Sequence, residues 1–208
     1  MAEKQVAVGY PEIVVERNEG VLHVRFHRAV RGDLITTRTL HALADLLCDT
    51  RHDRTVRGIV IAGTVYSFCA GVDIGDKPQS SDVVIAAAGE ALERSVEAMV
   101  AFPRPVIGAV NGLAAGAGLA LALACDVTVA SDSSEFSIVQ SEGWYRPHAS
   151  TAAVLTARSI GRSRALRMSL LGETLTARAA LAEGLIASVY PTARFRQHVE
   201  TFVRQIAP

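Results

Sequence analysis

The sequence predicts an α/β fold in which short, apolar strands run parallel to one another with helices between them. Two observations carry this. Strand-like and helix-like stretches alternate along the chain, the pattern of parallel neighbours joined by crossovers. The runs "VRGIVIAG" and "PVIGAV" lack polar alternation, as strands buried on both faces do. With 208 residues, 50% of them hydrophobic and 20% charged, the chain can bury one substantial core and is unlike a disordered segment.

The elements follow in order. "IVVERNEGVLHVRFH" alternates around Asn18-Glu19-Gly20 and predicts a β-hairpin. "LITTRTLHALADLLCDT" places apolar residues at helical spacing, with Thr36 or Thr37 available as a cap. The strand "VRGIVIAG" is followed by "SSDVVIAAAGEALERSVEAMVAF", a helix with a Ser/Asp start that Pro103 and Pro105 stop. "PVIGAV" is the next strand, then an apolar helix within "VNGLAAGAGLALALACD", then the strand "DVTVAS". "STAAVLTARSIG" and "SRALRMSLLG" predict helices; "TARAALAEGL" before "IASVYP" predicts a helix and then a strand. No linker, repeat or low-complexity tract divides the chain.

Charge and cysteine content narrow the class. The net charge is +0 and no basic block appears, which argues against a nucleic-acid partner. Lys4 and Lys77 are the only lysines. Cys48, Cys69 and Cys125 sit in apolar surroundings and are odd in number, which suits buried free thiols better than a disulfide frame. No pair has zinc-ligand spacing, so no metal is expected. Cys69, beside "CAG", is read as a packing residue or as a nucleophile. "MAEKQVAVGYPE" lacks the apolar core of a signal peptide. The apolar run from Gly112 to Cys125 is too short for a bilayer. The expected location is the cytoplasm, with no membrane partner.

Two strand-to-loop transitions carry small residues: "TVYSFCAGVDIGD" after "GIVIAG", and "NGLAAGAG" after "PVIGAV". Open α/β sheets place their ligands at such turns. The second turn opens a helix with no polar face, whose first N–H groups have no partner inside the helix. A buried helix start reached by small residues is a place to hold negative charge.

In this order and spacing, "SFCAGVDI", "PRPVIGAVNGLAAGAGLALALACDVTVAS", "EFS" and "SIGRSRALRMSLLGETLTARAALAEGLIASVYP" resemble the crotonase (enoyl-CoA hydratase/isomerase) superfamily. The resemblance spans about Glu12 to Pro191. It implies a spiral of repeated ββα units with flanking helices: a core over 1–191 and a short C-terminal helix over 192–208, in place of a longer lid. It also implies a homotrimer or hexamer and an acyl-thioester substrate. Coenzyme A or phosphopantetheine would then be part of the substrate, with no separate cofactor and with an acyl carrier protein as an alternative partner. The shared chemistry of the family is an enolate-like anion on the thioester oxygen, held by two backbone N–H groups. By position these belong to Val72 and Ala117, with Ala70, Gly71 and Gly116 shaping the approach.

The chain departs from the family at its acid–base positions. Hydratases of the family carry a glutamate three positions past the oxyanion glycine, where this chain has Ala120. A second glutamate follows the next strand, and gapless matching puts Gln140 there; an amide cannot move a proton near neutral pH. Standard hydration is therefore not expected. Isomerisation, decarboxylation or dehydration with one acid–base residue is, and secondary metabolism such as polyketide biosynthesis would use so reduced a site. Two further readings stay open: a non-catalytic thioester-binding or scaffold protein, and a hydratase whose acid has moved to Glu142. His148 stands on the first glycine of a loop where some members place a reactive group, and is either the acid–base residue or a surface histidine. Glu142 is either its rival or a solvated carboxylate. Trp144 and Tyr145 are expected to close the acyl pocket, with Tyr145 also a hydrogen-bond donor. Asp33 stands where the family's backbone lies against the adenine. Arg28, Arg31 and Arg104 meet phosphates or water. Asp73 and Asp126 are expected to be structural.

Overall fold

The structure, a computed structural model, describes residues 5–7, 10, 12–26, 33–64, 66–73, 82–138 and 150–207. The expected hairpin pairs β2 (Ile13–Asn18) with β3 (Val21–Phe26). Glu19 and Gly20 between them both have positive φ, the handedness a two-residue hairpin turn needs to match strand twist. β1 (Gln5–Ala7) pairs antiparallel on the outer side of β2.

From β3 onward each long strand is followed by a short one and then a helix. β3 leads to β4 (Leu34–Ile35) and α1 (Thr37–Thr50). β5 (Gly58–Ala62) leads to β6 (Gly71–Val72) and α2 (Asp82–Val100). β7 (Val106–Val110) leads to β8 (Leu113–Ala115) and α3 (Ala117–Ala124). β9 (Val127–Ser131) leads to β10 (Glu135–Ser137), with α4 (Thr151–Ile160) further on. α5 (Arg162–Leu171), β11 (Thr174–Thr176), α6 (Ala177–Ala182), β12 (Ser188–Tyr190) and α7 (Phe195–Ile206) complete the order.

One seven-stranded sheet runs in the order β1-β2-β3-β5-β7-β9-β12, parallel from β3 to β12. The remaining strands build a second tier: β4 beside β6, and β10 between β8 and β11, joined by a bridge between Cys69 and Ala114. Repeated ββα units laid side by side in two tiers are the crotonase-like spiral.

The short strands are where the sequence reading falls short. Leu34 and Ile35, just ahead of the expected cap, form a strand that no periodicity reveals and pair with Gly71 and Val72. The helix starts at the expected cap: Thr36 is extended and its hydroxyl accepts from the Thr39 N–H in a capping box. β10 and β11, three residues each, carry no periodicity long enough to predict. Cys48, expected to be buried, is exposed. Leu40, Leu43 and Leu47 take the core-facing stripe of α1, and Cys48 falls just off it at helical spacing.

Side chains alternate across the large sheet, so it has two buried faces. On one, Val24, Ile59, Ile61, Val106 and Val110 join α1, α2 and α3 in the larger core. On the other, Val21, Val60, Ile107, Ala109 and Val129 lie under α7, which sets Phe195, Val199 and Val203 onto them. These three recur every four residues, and each contributes about 1.5–3 kcal/mol by leaving water. α7 is thus fastened to the sheet.

α3 is the most enclosed helix of the described residues. Gly118, Leu119, Ala120, Leu121, Ala122 and Ala124 are all buried, as an apolar sequence with no polar face requires. Asp126 closes its far end structurally: its N–H donates to the Val106 carbonyl (2.8 Å) and its carboxylate accepts from the Val106 N–H (2.7 Å).

Candidate active site

The two small-residue turns lie against each other. β6, from the first, runs parallel to β4, with Ile35 opposite Val72. The Asp73 N–H donates to the Ile35 carbonyl at 2.7 Å. Amides alternate in direction along a strand, so the Val72 N–H points to the opposite edge. On that side, just upstream, Cys69 donates its N–H to Leu113 (3.0 Å) and accepts from Ala115 (2.9 Å). This ties the first turn to β8, which leads straight into α3.

Ala117 is the first residue of α3, and no side chain caps the helix. Its N–H therefore has no intrahelical acceptor and stands at the positive end of the helix dipole, where an anion is favoured. Gly116, immediately before it, has φ 53° and ψ −117°, a conformation essentially confined to glycine. Its N–H goes to the Ser137 carbonyl (3.1 Å), and its own carbonyl accepts from Ala120 (3.0 Å). A β-carbon added at Gly116 would lie 4.0 Å from the Gly71 α-carbon. The glycines that precede Val72 and Ala117 thus face each other.

The close fit depends on two further glycines. A β-carbon at Gly118 would lie 2.7 Å from the Cys69 β-carbon and 2.8 Å from its carbonyl carbon. One at Gly112 would lie 3.0 Å from the Ser67 α-carbon. Thr64 and Ser67, which sequence reasoning did not single out, pin the same turn. The Thr64 hydroxyl donates to Asp33 (2.9 Å) and accepts from the Tyr66 and Ser67 N–H groups, and the Ser67 hydroxyl donates to Leu113 (3.0 Å). The polar pair in "TVYS" after an apolar strand is the signal that could have revealed them.

The remaining residues sort as follows. Ala70 is buried and donates its N–H to the Asp33 carbonyl (3.0 Å). Asp33 has φ 60° and spends its carboxylate on Thr64. Ala120 is fully buried and offers no ionisable group. Arg104 donates to the Thr50 and Arg51 carbonyls (3.1 and 2.6 Å), at the C-terminus of α1. Burial pushes the Cys69 thiol up to about 12, so it is not a nucleophilic thiolate near neutral pH. Arg28, Arg31, Gln140, Glu142, Trp144, Tyr145 and His148 lie outside the described residues. Among the described residues no helix is long and apolar enough to cross a membrane, and no three His, Cys, Asp or Glu side chains gather as metal ligands would.

Comparison with known proteins agrees with this architecture. In Escherichia coli (strain K12), a 2,3-dehydroadipyl-CoA hydratase is 32% identical over 181 residues, covering 87% of this chain and 70% of that one. A 1,2-epoxyphenylacetyl-CoA isomerase from the same organism is 31% identical over 193 residues, 91% of this chain and 73% of the relative. Among solved structures, an enoyl-CoA hydratase of Mycobacterium smegmatis superposes with a TM-score of 0.87 at 27% identity, covering 95% of this chain and 77% of that one. The sequence profile described as enoyl-CoA hydratase/isomerase matches residues 16–208. With the ββα spiral, the paired turns and this match in hand, the chain belongs to the enoyl-CoA hydratase/isomerase family.

Proposed function

We propose that the protein is an enzyme acting on an acyl thioester, with the thioester oxygen received by the Val72 and Ala117 N–H groups. The observation that carries this is the opposition of Gly71 and Gly116, which leaves room for a carbonyl between two backbone donors. A base removes a proton from the acyl chain, the C–H electron pair becomes a C=C bond, and the C=O π pair moves to oxygen. The donors stabilise the resulting enolate oxygen, each contributing about 3 kcal/mol in comparable sites. Collapse of the enolate with protonation at another carbon completes an isomerisation; loss of a leaving group completes an elimination.

Ala120 supplies no carboxylate, so the reading favours isomerisation, decarboxylation or a dehydration-type elimination served by one acid–base residue over the standard two-carboxylate hydration. The substrate class is coenzyme A thioesters or the chemically equivalent phosphopantetheine thioester of a carrier protein. His148 is the proposed acid–base residue, with Glu142 its rival. The test is α-proton exchange: acyl-CoA thioesters incubated with the protein in heavy water and followed by mass spectrometry. Deuterium incorporation that falls sharply in His148→Ala, with thioester binding retained, is the expected result. Tight thioester binding without exchange would instead identify a binding or scaffold protein, which the apolar Ala120 also favours.

A further inference from the structure

Gly71 precedes the proposed donor Val72 with φ 127°, backbone that L side chains rarely adopt. The peptide linking Gly71 to Val72 lies in β6 and is held along one edge by the pairing of Leu34 with Gly71 and Ile35 with Val72. That peptide carries both the Gly71 carbonyl and the Val72 N–H. In a trans planar unit the two point in opposite directions, so whatever holds the carbonyl aims the N–H. No peptide in the described chain is cis.

Among the described residues the Cys69 side chain reaches that carbonyl: its thiol donates to the Gly71 oxygen at 3.6 Å. Cys69 is 0% exposed, and its backbone is held on both sides, N–H to Leu113 and carbonyl from Ala115. Gly118 of α3 packs directly on its β-carbon and carbonyl, so the thiol has a fixed origin. Burial keeps it protonated near neutral pH, hence always a donor.

We propose that Cys69 is a positioning residue: its thiol, by donating to the Gly71 carbonyl, joins the β4 pairing in fixing the plane of the Gly71–Val72 peptide and thereby aims the Val72 N–H at the thioester oxygen. The inference rests on the reading of Val72 as an oxyanion donor. A donor on the carbonyl also polarises the peptide and strengthens its N–H. Cys69 touches no substrate in this scheme.

The test uses the whole protein and a conjugated arylacryloyl-CoA thioester, whose absorbance moves to longer wavelength when its carbonyl is polarised. Binding, absorbance shift and α-proton exchange are measured for wild type, Cys69→Ala, Cys69→Ser and the control Cys48→Ala. Cys69→Ala should bind the thioester within about twofold of wild type, show a reduced absorbance shift, and exchange about tenfold more slowly, since misaiming a donor acts on the transition state. Cys69→Ser keeps a donor and should retain most of the shift and the exchange; Cys48→Ala should match wild type. Wild-type shift and exchange in a folded Cys69→Ala overturn the inference while leaving the proposed function standing. Absence of shift and exchange in the wild type with thioester bound overturns the proposed function and this inference with it. If Cys69→Ala does not fold, Cys69→Ser decides alone: a folded serine variant exchanging ten or more times slower than wild type refutes the donor role.

Discussion

Replacing Gly118 with alanine tests whether α3 must touch the first turn for the site to exist. In an exposed helix the change would be favourable, because alanine exceeds glycine by about 0.8–1 kcal/mol in helix propensity. Here the added β-carbon would sit 2.7 Å from the Cys69 β-carbon and 2.8 Å from its carbonyl carbon, where ordinary contact begins near 3.4 Å. The added carbon also runs into the Cys69 carbonyl oxygen, so both carbonyl atoms of the backbone are in the way, and the first turn of α3 has to withdraw by about 1 Å in a close-packed interior. Overpacking of this kind costs about 1–3 kcal/mol, which exceeds the propensity gain. The same withdrawal carries the Ala117 N–H away from Val72. A displacement approaching 1 Å costs up to about a hundredfold in rate. Gly89 on α2 is the internal control, since a β-carbon there meets nothing within 4 Å. Denaturant unfolding followed by circular dichroism should give a lower midpoint for Gly118→Ala and a higher one for Gly89→Ala. Deuterium exchange into an acyl-CoA should fall at least tenfold in the first and stay unchanged in the second. A Gly118→Ala protein as stable and as active as wild type would refute the claim that this contact sets the distance between the donors.

Four further outcomes follow from the same structure. Hydration of crotonyl-CoA should be slow, because positioned acid–base groups usually contribute about two to four orders of magnitude each and Ala120 supplies none; a turnover of about 10 per second or more would show that another acid has taken over. Glu142→Gln should be mild and His148→Ala severe in the exchange assay, and the reverse order would move the acid–base role to Glu142. In native protein a thiol reagent should modify exposed Cys48 quickly and buried Cys69 only after unfolding, as mass mapping of the labelled peptides would show. Burial and the hydrogen bond to the Asp49 carboxylate (2.8 Å) push the Tyr10 hydroxyl up to about 12. Its folded value is raised, so its stabilisation is complete below the ordinary tyrosine value near 10 and is lost as pH rises from there through about 12. Tyr10→Phe should abolish that part of the alkaline decline in unfolding midpoint.

Long, periodic elements are legible in the residues alone, because periodicity is a local property. The hairpin at Glu19-Gly20, the apolar strands β5 and β7 and α2 up to Pro103 follow from residue spacing and turn chemistry alone. The two glycine-bearing turns, and the absence of a carboxylate at Ala120, were equally legible there. Tertiary structure decided what depends on neighbours distant in sequence. The two-residue strands β4 and β6 exist only because Leu34–Ile35 and Gly71–Val72 find each other across the fold. Cys48 lies outside and Cys69 inside because of which helix face and which turn meet the core, a matter composition cannot settle. That a buried thiol 3.6 Å from the Gly71 carbonyl and a glycine on α3 hold one peptide in place is likewise invisible in sequence, because backbone direction is set by packing between segments and not by the residue that carries the N–H.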